Sequence, residues 1–340
     1  MSQWTNSVTI QRWTPSSRYA IVFAGLVLVL LALAPLFASN GLLDRLTALF
    51  IYVILAAMWN ALAGYGGLIS VGQQAFFGLG AYFTIRIADL GLDPFISVAL
   101  AALIVGVISY PISLVMLRLK GGEFAIGMWV VASILHLMVN LDGLIQGETG
   151  ISLVSLNHYD SAQRLTIIYL LTLGSMAGLL ALLFFVLRSK TGSAIQAIRD
   201  NEEAATSVGV KPEKTKQLLF VIAAFGIGVA GALWLTSATT FLPKTYFSVQ
   251  WSAYMIFMVL VGGIGKFEGA ILGAIIFFLV ETWFSSTGVW YLVSLGAIAI
   301  AFSLFLPKGI WGELERRFNW HFLPVGYQVV EKNKINTDKK

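Results

Sequence analysis

The 340-residue chain has no cysteine, so no disulfide can staple an exterior domain and neither thiolate chemistry nor a Cys-ligated metal is available. Its three histidines, His136, His158 and His321, lie far apart without a carboxylate at ligand spacing, which argues against a metal site. No serine occupies a G-x-S-x-G elbow. One run, GGIGKFEG at 262–269, resembles a phosphate loop but fails twice: Leu260 stands where the first glycine of G-x-x-x-x-G-K belongs, and Phe267 where Ser or Thr must meet magnesium. No catalytic constellation remains, and the chain is not expected to bind ATP by that route. Charge is scarce too, at 11% of residues against 58% hydrophobic, with a mean hydropathy of +0.82. A water-facing surface cannot be built from that composition. The net charge of +5 could point to nucleic acid, but the basic residues sit in short loops between apolar runs, so membrane topology accounts for them and no nucleic-acid partner is expected.

The apolar runs are long enough to be transmembrane helices, which need about 20 residues each. Ten candidates read as 19–38, 46–65, 68–88, 95–117, 123–141, 166–187, 217–240, 250–265, 268–286 and 288–306. The eighth is short and ends in VGGIG (261–265), and the joint AGYGGLISVG (63–72) is rich in glycine, so either could be re-entrant. Irregular backbone at that depth must be buried in protein or face water. The fold class is therefore all-α polytopic, with about eight to ten transmembrane helices. The first run is longer than a signal-peptide core, and Leu36 spoils an A-x-A cleavage pattern, so it reads as a retained span.

With ten spans and an inside N-terminus, all of the 22 basic residues except Arg45, Arg86, Arg164 and Lys244 fall inside. That asymmetry makes both termini cytoplasmic. The chain divides into a cytoplasmic segment 1–18, a membrane domain 19–306 and a basic tail 307–340, the tail expected to be solvated and to touch anionic lipid. The longest outer connection, 142–165, contains an ISLVSL run that could lie on the membrane surface.

One inner loop, 188–216, holds a dense charge cluster: Lys190, Arg199, Asp200, Glu202, Glu203, Lys211, Glu213, Lys214 and Lys216. Good helix formers at 193–205 put Ala194, Ile195, Ala197, Ile198, Ala204 and Ala205 on one face, with Gly209 where such a helix could end. A short surface helix tethered to spans at both ends suits docking into a partner; an ordinary charged loop that sets topology is the alternative.

Within the loop, EEAATSVG places Glu203, Ala204, Ala205 and Gly209 in a pattern that resembles the coupling-loop signature of permease subunits in binding-protein-dependent ABC importers. GLISVGQQAFFGLGAYF (67–83), LRLKGGEFAIGMWVV (117–131), TGISLVSL (149–156) and LPKTYFSVQWSAYMIFMVLVGGIGKFEGAILGA (242–274) resemble, in order, runs of the branched-chain amino acid permeases, in particular the M-type partner of a heterodimer. The likeness covers about 43–310. It departs at LLF (218–220), where many importers have LP, and at Glu123, where the family usually has an aromatic residue.

The resemblance implies an ABC-importer permease in a bacterial inner membrane, paired with a homologous permease, two ATP-binding subunits and a periplasmic binding protein. ATP and magnesium would be bound by the partner subunits and no cofactor by this chain. Ile195, Ile198, Arg199, Asp200, Glu202, Glu203, Ala204, Ala205 and Gly209 would form the coupling loop. The cargo would be a hydrophobic or branched-chain amino acid; urea or a short-chain amide is the alternative, and an ion-coupled secondary transporter the alternative of a different class.

Candidate pathway or packing residues follow from the cost of polar groups in lipid and the use of small residues for close helix contact. Asn60, Gln73 and Gln74 flank the first glycine joint, which contains Ser70, and Asn60 and the two glutamines are expected to bond freed backbone there. Gly78, Gly80, Gly262, Gly263 and Gly265 read as packing or a partner interface, as does the Gly269-x-x-x-Gly273 face. His136 and Asn140 share a helix face and are expected to make an interhelical hydrogen bond. Glu281 reads either as facing a watery vestibule or as lying near the interface. Trp59, Trp129, Trp251 and Trp290 read as an aromatic belt.

Overall fold

The computed structural model describes residues 8–11, 15–284, 288–318, 322–323, 325 and 328–331. Its helices are α1 (Pro15–Leu33), α2 (Asn40–Asn60), α3 (Gln74–Asp89), α4 (Pro94–Met116), α5 (Gly121–Asn140), α6 (Ser161–Arg188), α7 (Lys190–Asp200) and α8 (Glu202–Ser207). They continue as α9 (Pro212–Ala238), α10 (Pro243–Tyr246), α11 (Val249–Gly262), α12 (Phe267–Phe284), α13 (Val289–Phe305) and α14 (Gly309–Phe318). Two small antiparallel ladders join β1 (Val8–Gln11) to β4 (Gln328–Glu331) and β2 (Ile151–Ser152) to β3 (Thr240–Phe241).

Among the described residues, nine helices are long and apolar enough to cross a membrane. The chain is an all-α polytopic membrane protein. Its axis is α2: 83% of that helix's most apolar stretch is buried, against 6% for α1. The helix α9 packs against α2, α3 and α4, and α12 against α2 and α11, so these helices form the core around that axis.

The third expected span is only partly helical. α3 has 16 residues, and the chain before it, 66–73, runs without helix back alongside α2. There the Trp59 indole donates to the Ser70 carbonyl at 3.0 Å. The Ser70 hydroxyl accepts from the Gln73 amide at 3.0 Å and from the Gly72 N–H at 3.3 Å. Ser70, Gln73 and Trp59 are buried while Gly67 and Ile69 are exposed, so protein covers this irregular backbone on one side.

Other sequence expectations change for physical reasons. Trp59 and Trp251 are core residues, their indoles donating to Ser70 and Thr245 carbonyls, whereas Trp129 and Trp290 are exposed. The ISLVSL run does not lie free on a surface: Ile151 and Ser152 pair with β3, and Leu153 and Leu156 are buried. The tail begins with α14, which packs on α11 and α12 and ion-pairs Glu315 to Lys266. His321 and 332–340 lie outside the described residues. The Gly269-x-x-x-Gly273 face packs within the chain and not against a partner, since a Cβ on Gly273 would meet the Met258 carbonyl at 1.8 Å. Gly78 and Gly80 likewise press on the Phe247 ring and the Gly228 carbonyl.

Candidate functional site

The loop 188–216 forms two helices instead of one. Ser189 caps α7 by accepting from the Thr191 N–H at 3.1 Å. The helix stops at Asn201, whose extended backbone (φ −160°, ψ 106°) and side chain, accepting from the Ala204 N–H at 2.9 Å, start α8. Asparagine competes for backbone donors better than it sustains a helix interior, which explains the break that the count of helix formers missed. Gly209, at φ +89°, ends α8 in the left-handed region that glycine enters freely.

The pair lies face down. Ile195, Ile198 and Ala205 are buried against the bundle, whereas Glu203, Ala204, Val208 and Gly209 are exposed. A 2.8 Å ion pair from Lys216 to Glu202 ties α8 to the start of α9.

Arg199 connects this element to the axis. Beyond Asn60, α2 widens into a π-helical turn, Ala61–Tyr65. There the Gly66 N–H bonds Ala61 and the Leu68 N–H bonds Leu62. In an α-helix the Leu68 N–H would serve the Gly64 carbonyl. The π turn leaves that carbonyl free, and Arg199 Nη1 donates to it at 2.8 Å. The remaining guanidinium nitrogens hold Asp200, at 2.9 and 3.0 Å.

Asn60 forms the second link. Its Oδ1 accepts from the Gly265 N–H at 2.8 Å and its Nδ2 donates to the Lys266 carbonyl at 2.9 Å. A carboxamide has the donor and acceptor of a peptide group, so Asn60 completes the glycine turn between α11 and α12 as a neighbouring strand would. The expectation that it bonds freed backbone meets that turn, and not the joint it flanks. Gln73 and Gln74 differ from expectation: Gln73 donates to the Ser70 hydroxyl and Gln74 accepts from the Ser252 hydroxyl, both side-chain partners. Gly262 and Gly263 let this turn close, a Cβ on Gly262 meeting the Gly269 carbonyl at 1.9 Å and one on Gly263 the Lys308 carbonyl at 2.9 Å. The structure thus brings Arg199, Asn60 and Gly265 to one hub. Gly64 is the participant that sequence reasoning left unassigned; its signal was its place in the joint AGYGG.

The opposite end of the bundle is fastened by carboxylates. His136 and Asn140 do not bridge helices; both reach Glu148 Oε1 in the loop after α5, at 2.9 and 2.6 Å. Glu148 Oε2 accepts from the Lys244 N–H at 3.0 Å. Burial pushes the Glu148 carboxyl up, but Asn140, the Lys244 amide and His136 together outweigh it and hold the group below its usual range. Asp142 accepts from Tyr82 at 2.7 Å and pairs with Arg86 at 3.0 Å, with the same net lowering against burial. Asp93 caps α4 through the Phe95 N–H at 2.8 Å and accepts from Tyr159. Glu281 lies apart from both groups, accepting from the Tyr52 hydroxyl at 2.8 Å.

Comparison with known proteins agrees with this architecture. The family described as "Branched-chain amino acid transport system / permease component" matches residues 41–305. The high-affinity branched-chain amino acid transport system permease protein LivM of Escherichia coli is 27% identical, over 85% of this chain and 74% of that protein. LivH of Escherichia coli is 25% identical, over 78% of this chain and 92% of its own length. BraD of Pseudomonas aeruginosa is 26% identical, over 81% and 95%. With the match spanning most of the sequence and every core helix, the chain belongs to the branched-chain amino acid transport system permease family.

Proposed function

We propose that the chain is a transmembrane subunit of an ATP-driven importer in a bacterial inner membrane. It forms, with a homologous permease, the path for hydrophobic or branched-chain amino acids delivered by a periplasmic binding protein. Two ATP-binding subunits hold ATP and magnesium and dock on α7–α8 at the cytoplasmic end; the carboxylate-fastened end faces the periplasm. Their closure displaces α7–α8, and Arg199 passes the displacement to the free carbonyl of α2 and through Asn60 to the turn between α11 and α12. The chain itself carries out no hydrolysis and binds no cofactor.

The observation that supports this reading most is the posture of α7–α8, with its apolar face seated on the bundle and Glu203, Ala204 and Val208 presented outward. In this reading Glu203, Ala204 and Val208, exposed on an element tethered to two spans, form the docking surface, and the alternative is a charged loop that sets topology. The test is copurification of ATP-binding subunits from native membranes with the wild type and with Val208→Asp and Glu203→Lys variants. Substitutions on this open surface leave folding intact, and loss of at least tenfold in both recovered ATPase and amino-acid uptake is expected. Undiminished recovery and uptake at equal expression would overturn the coupling role.

A further inference from the structure

Glu281 stands in the last turn of α12, about 21 Å along the helix from Phe267 and about 4.5 Å from its end at Phe284. It is half-buried, and among the described residues it has no ion-pair partner. The surrounding helices cannot readily supply one: α11, α12 and α13 contain no Lys or Arg, and α2 contains only Arg45, about 10 Å along the helix from Tyr52. Tyr52 holds one carboxylate oxygen. Tyr254 and Tyr291 belong to the same aromatic cluster, joined to Tyr52 through Phe277. Their rings sit 6.4 Å apart, the Tyr52 ring is 5.9 Å from Trp234, and Phe277 lies 5.0 Å from Tyr52 and 4.6 Å from Tyr254. The Tyr291 hydroxyl is buried beside Tyr254 yet completes no well-formed hydrogen bond.

A half-buried carboxyl group with no cation beside it, set among apolar helices, marks a place where a polar ligand or ion can be met. Tyr52 at the carboxyl group, with the Trp234, Tyr254 and Tyr291 rings of the cluster it joins, adds the negative π faces that attract an organic cation. A sodium ion would need several oxygen ligands, whereas these apolar rings suit a cation with an alkyl body.

We propose that Glu281, Tyr52, Tyr254 and Tyr291 form a binding station for a primary alkylammonium group. The carboxylate takes the charge, the Tyr291 hydroxyl accepts one N–H, and Phe277 and Trp234 border the alkyl chain. Its physiological ligand, the amino end of a hydrophobic amino acid entering the pathway, rests on the transport reading above.

The test uses the full-length protein purified from membranes with its copurifying partners and placed in lipid nanodiscs. Binding of isopentylamine, L-leucine, 4-methylpentanoate and sodium chloride is measured by calorimetry for the wild type, Glu281→Gln and Tyr291→Phe. Isopentylamine and L-leucine should bind and 4-methylpentanoate should not. Glu281→Gln should weaken isopentylamine at least tenfold with an unchanged melting temperature, and Tyr291→Phe should weaken it severalfold. Absence of isopentylamine binding, undiminished binding by Glu281→Gln, or equal competition by sodium would overturn the station. If isopentylamine binds through Glu281 but L-leucine is neither bound nor transported, the amino-acid transport reading fails and the station stands. If Glu281→Gln binds isopentylamine and carries L-leucine as the wild type does, the station fails and the transport reading stands.

Discussion

At the α7–α8 end, Asn60 and one arm of Arg199 bond backbone atoms across glycine-rich turns; at the opposite end, Asp142, Glu148 and Asp93 collect donors from side chains and backbone amides. In the coupling reading proposed above, a displacement of α7 would reach α2 through the Arg199 side chain and the α11–α12 turn through Asn60. A carboxylate clasp is strong only while ionised and is open to solvent screening. One end joins helices through side-chain bonds to backbone, and the other holds a loop through carboxylates that acid can loosen.

The comparison breaks most severely at Asn60. Asn60→Leu leaves the part-buried Gly265 N–H and Lys266 carbonyl without their partner, at a cost of about 1 kcal/mol or more for each. Thermal unfolding in detergent should show a large drop in melting temperature, and a variant as stable as the wild type would remove Asn60 from the hub. Next comes Gly64→Ala, whose Cβ would meet Asn60 Oδ1 at 2.2 Å and the Gly265 nitrogen at 2.4 Å. Overpacking of this kind costs about 1–3 kcal/mol. Gly25→Ala, with nothing within 4 Å of its Cβ, is the matched control and should be neutral or slightly stabilising.

The smallest effect belongs to the clasp. The native Glu148 carboxyl lies below its ordinary value of 4.5. Its contribution to stability is therefore complete above that value and is lost as pH falls through the lowered native one. Hydrogen exchange at 142–160 should be slow at neutral pH and speed up in acid, and Glu148→Gln should flatten the Glu148 part of that dependence. Because Glu148 is partly exposed, the whole effect stays within the range of a surface pair, about 1 kcal/mol or less. An acid-insensitive loop in the wild type would mean that the ends do not differ in this way.

Much of this could be read before the coordinates. Hydrophobic runs revealed the spans, because a bilayer enforces length and composition together. The helix pair after α6 was visible from charge density and helix formers. What stayed hidden depends on partners distant in sequence. Nothing local marks Gly64 as an acceptor, since its carbonyl is free only because the π turn redirects the Leu68 N–H. Glu148 looked like one more outer acid, and only folding of the loop sets it against His136 and Asn140. Trp59 and Trp251 sat near span ends, where lipid anchoring was the natural reading; their indoles instead cap carbonyls inside. The break at Asn201 was within reach, because asparagine followed by two glutamates is a helix start as well as a continuation.

The hub also bears on how the protein is made. Asn60 meets partners 205 and 206 positions later in the chain, and the Gly64 carbonyl waits 135 positions for Arg199. The axial helix therefore leaves the ribosome long before anything that completes its polar end exists. Until α7 exists for the freed carbonyl, and the α11–α12 turn for the Asn60 carboxamide, these groups must be shielded by water, lipid headgroups or an insertion chaperone. Synthesis halted after α9 should yield a membrane-inserted but protease-sensitive intermediate, and the late arrival of residues 263–266 is the event that turns it into a permease.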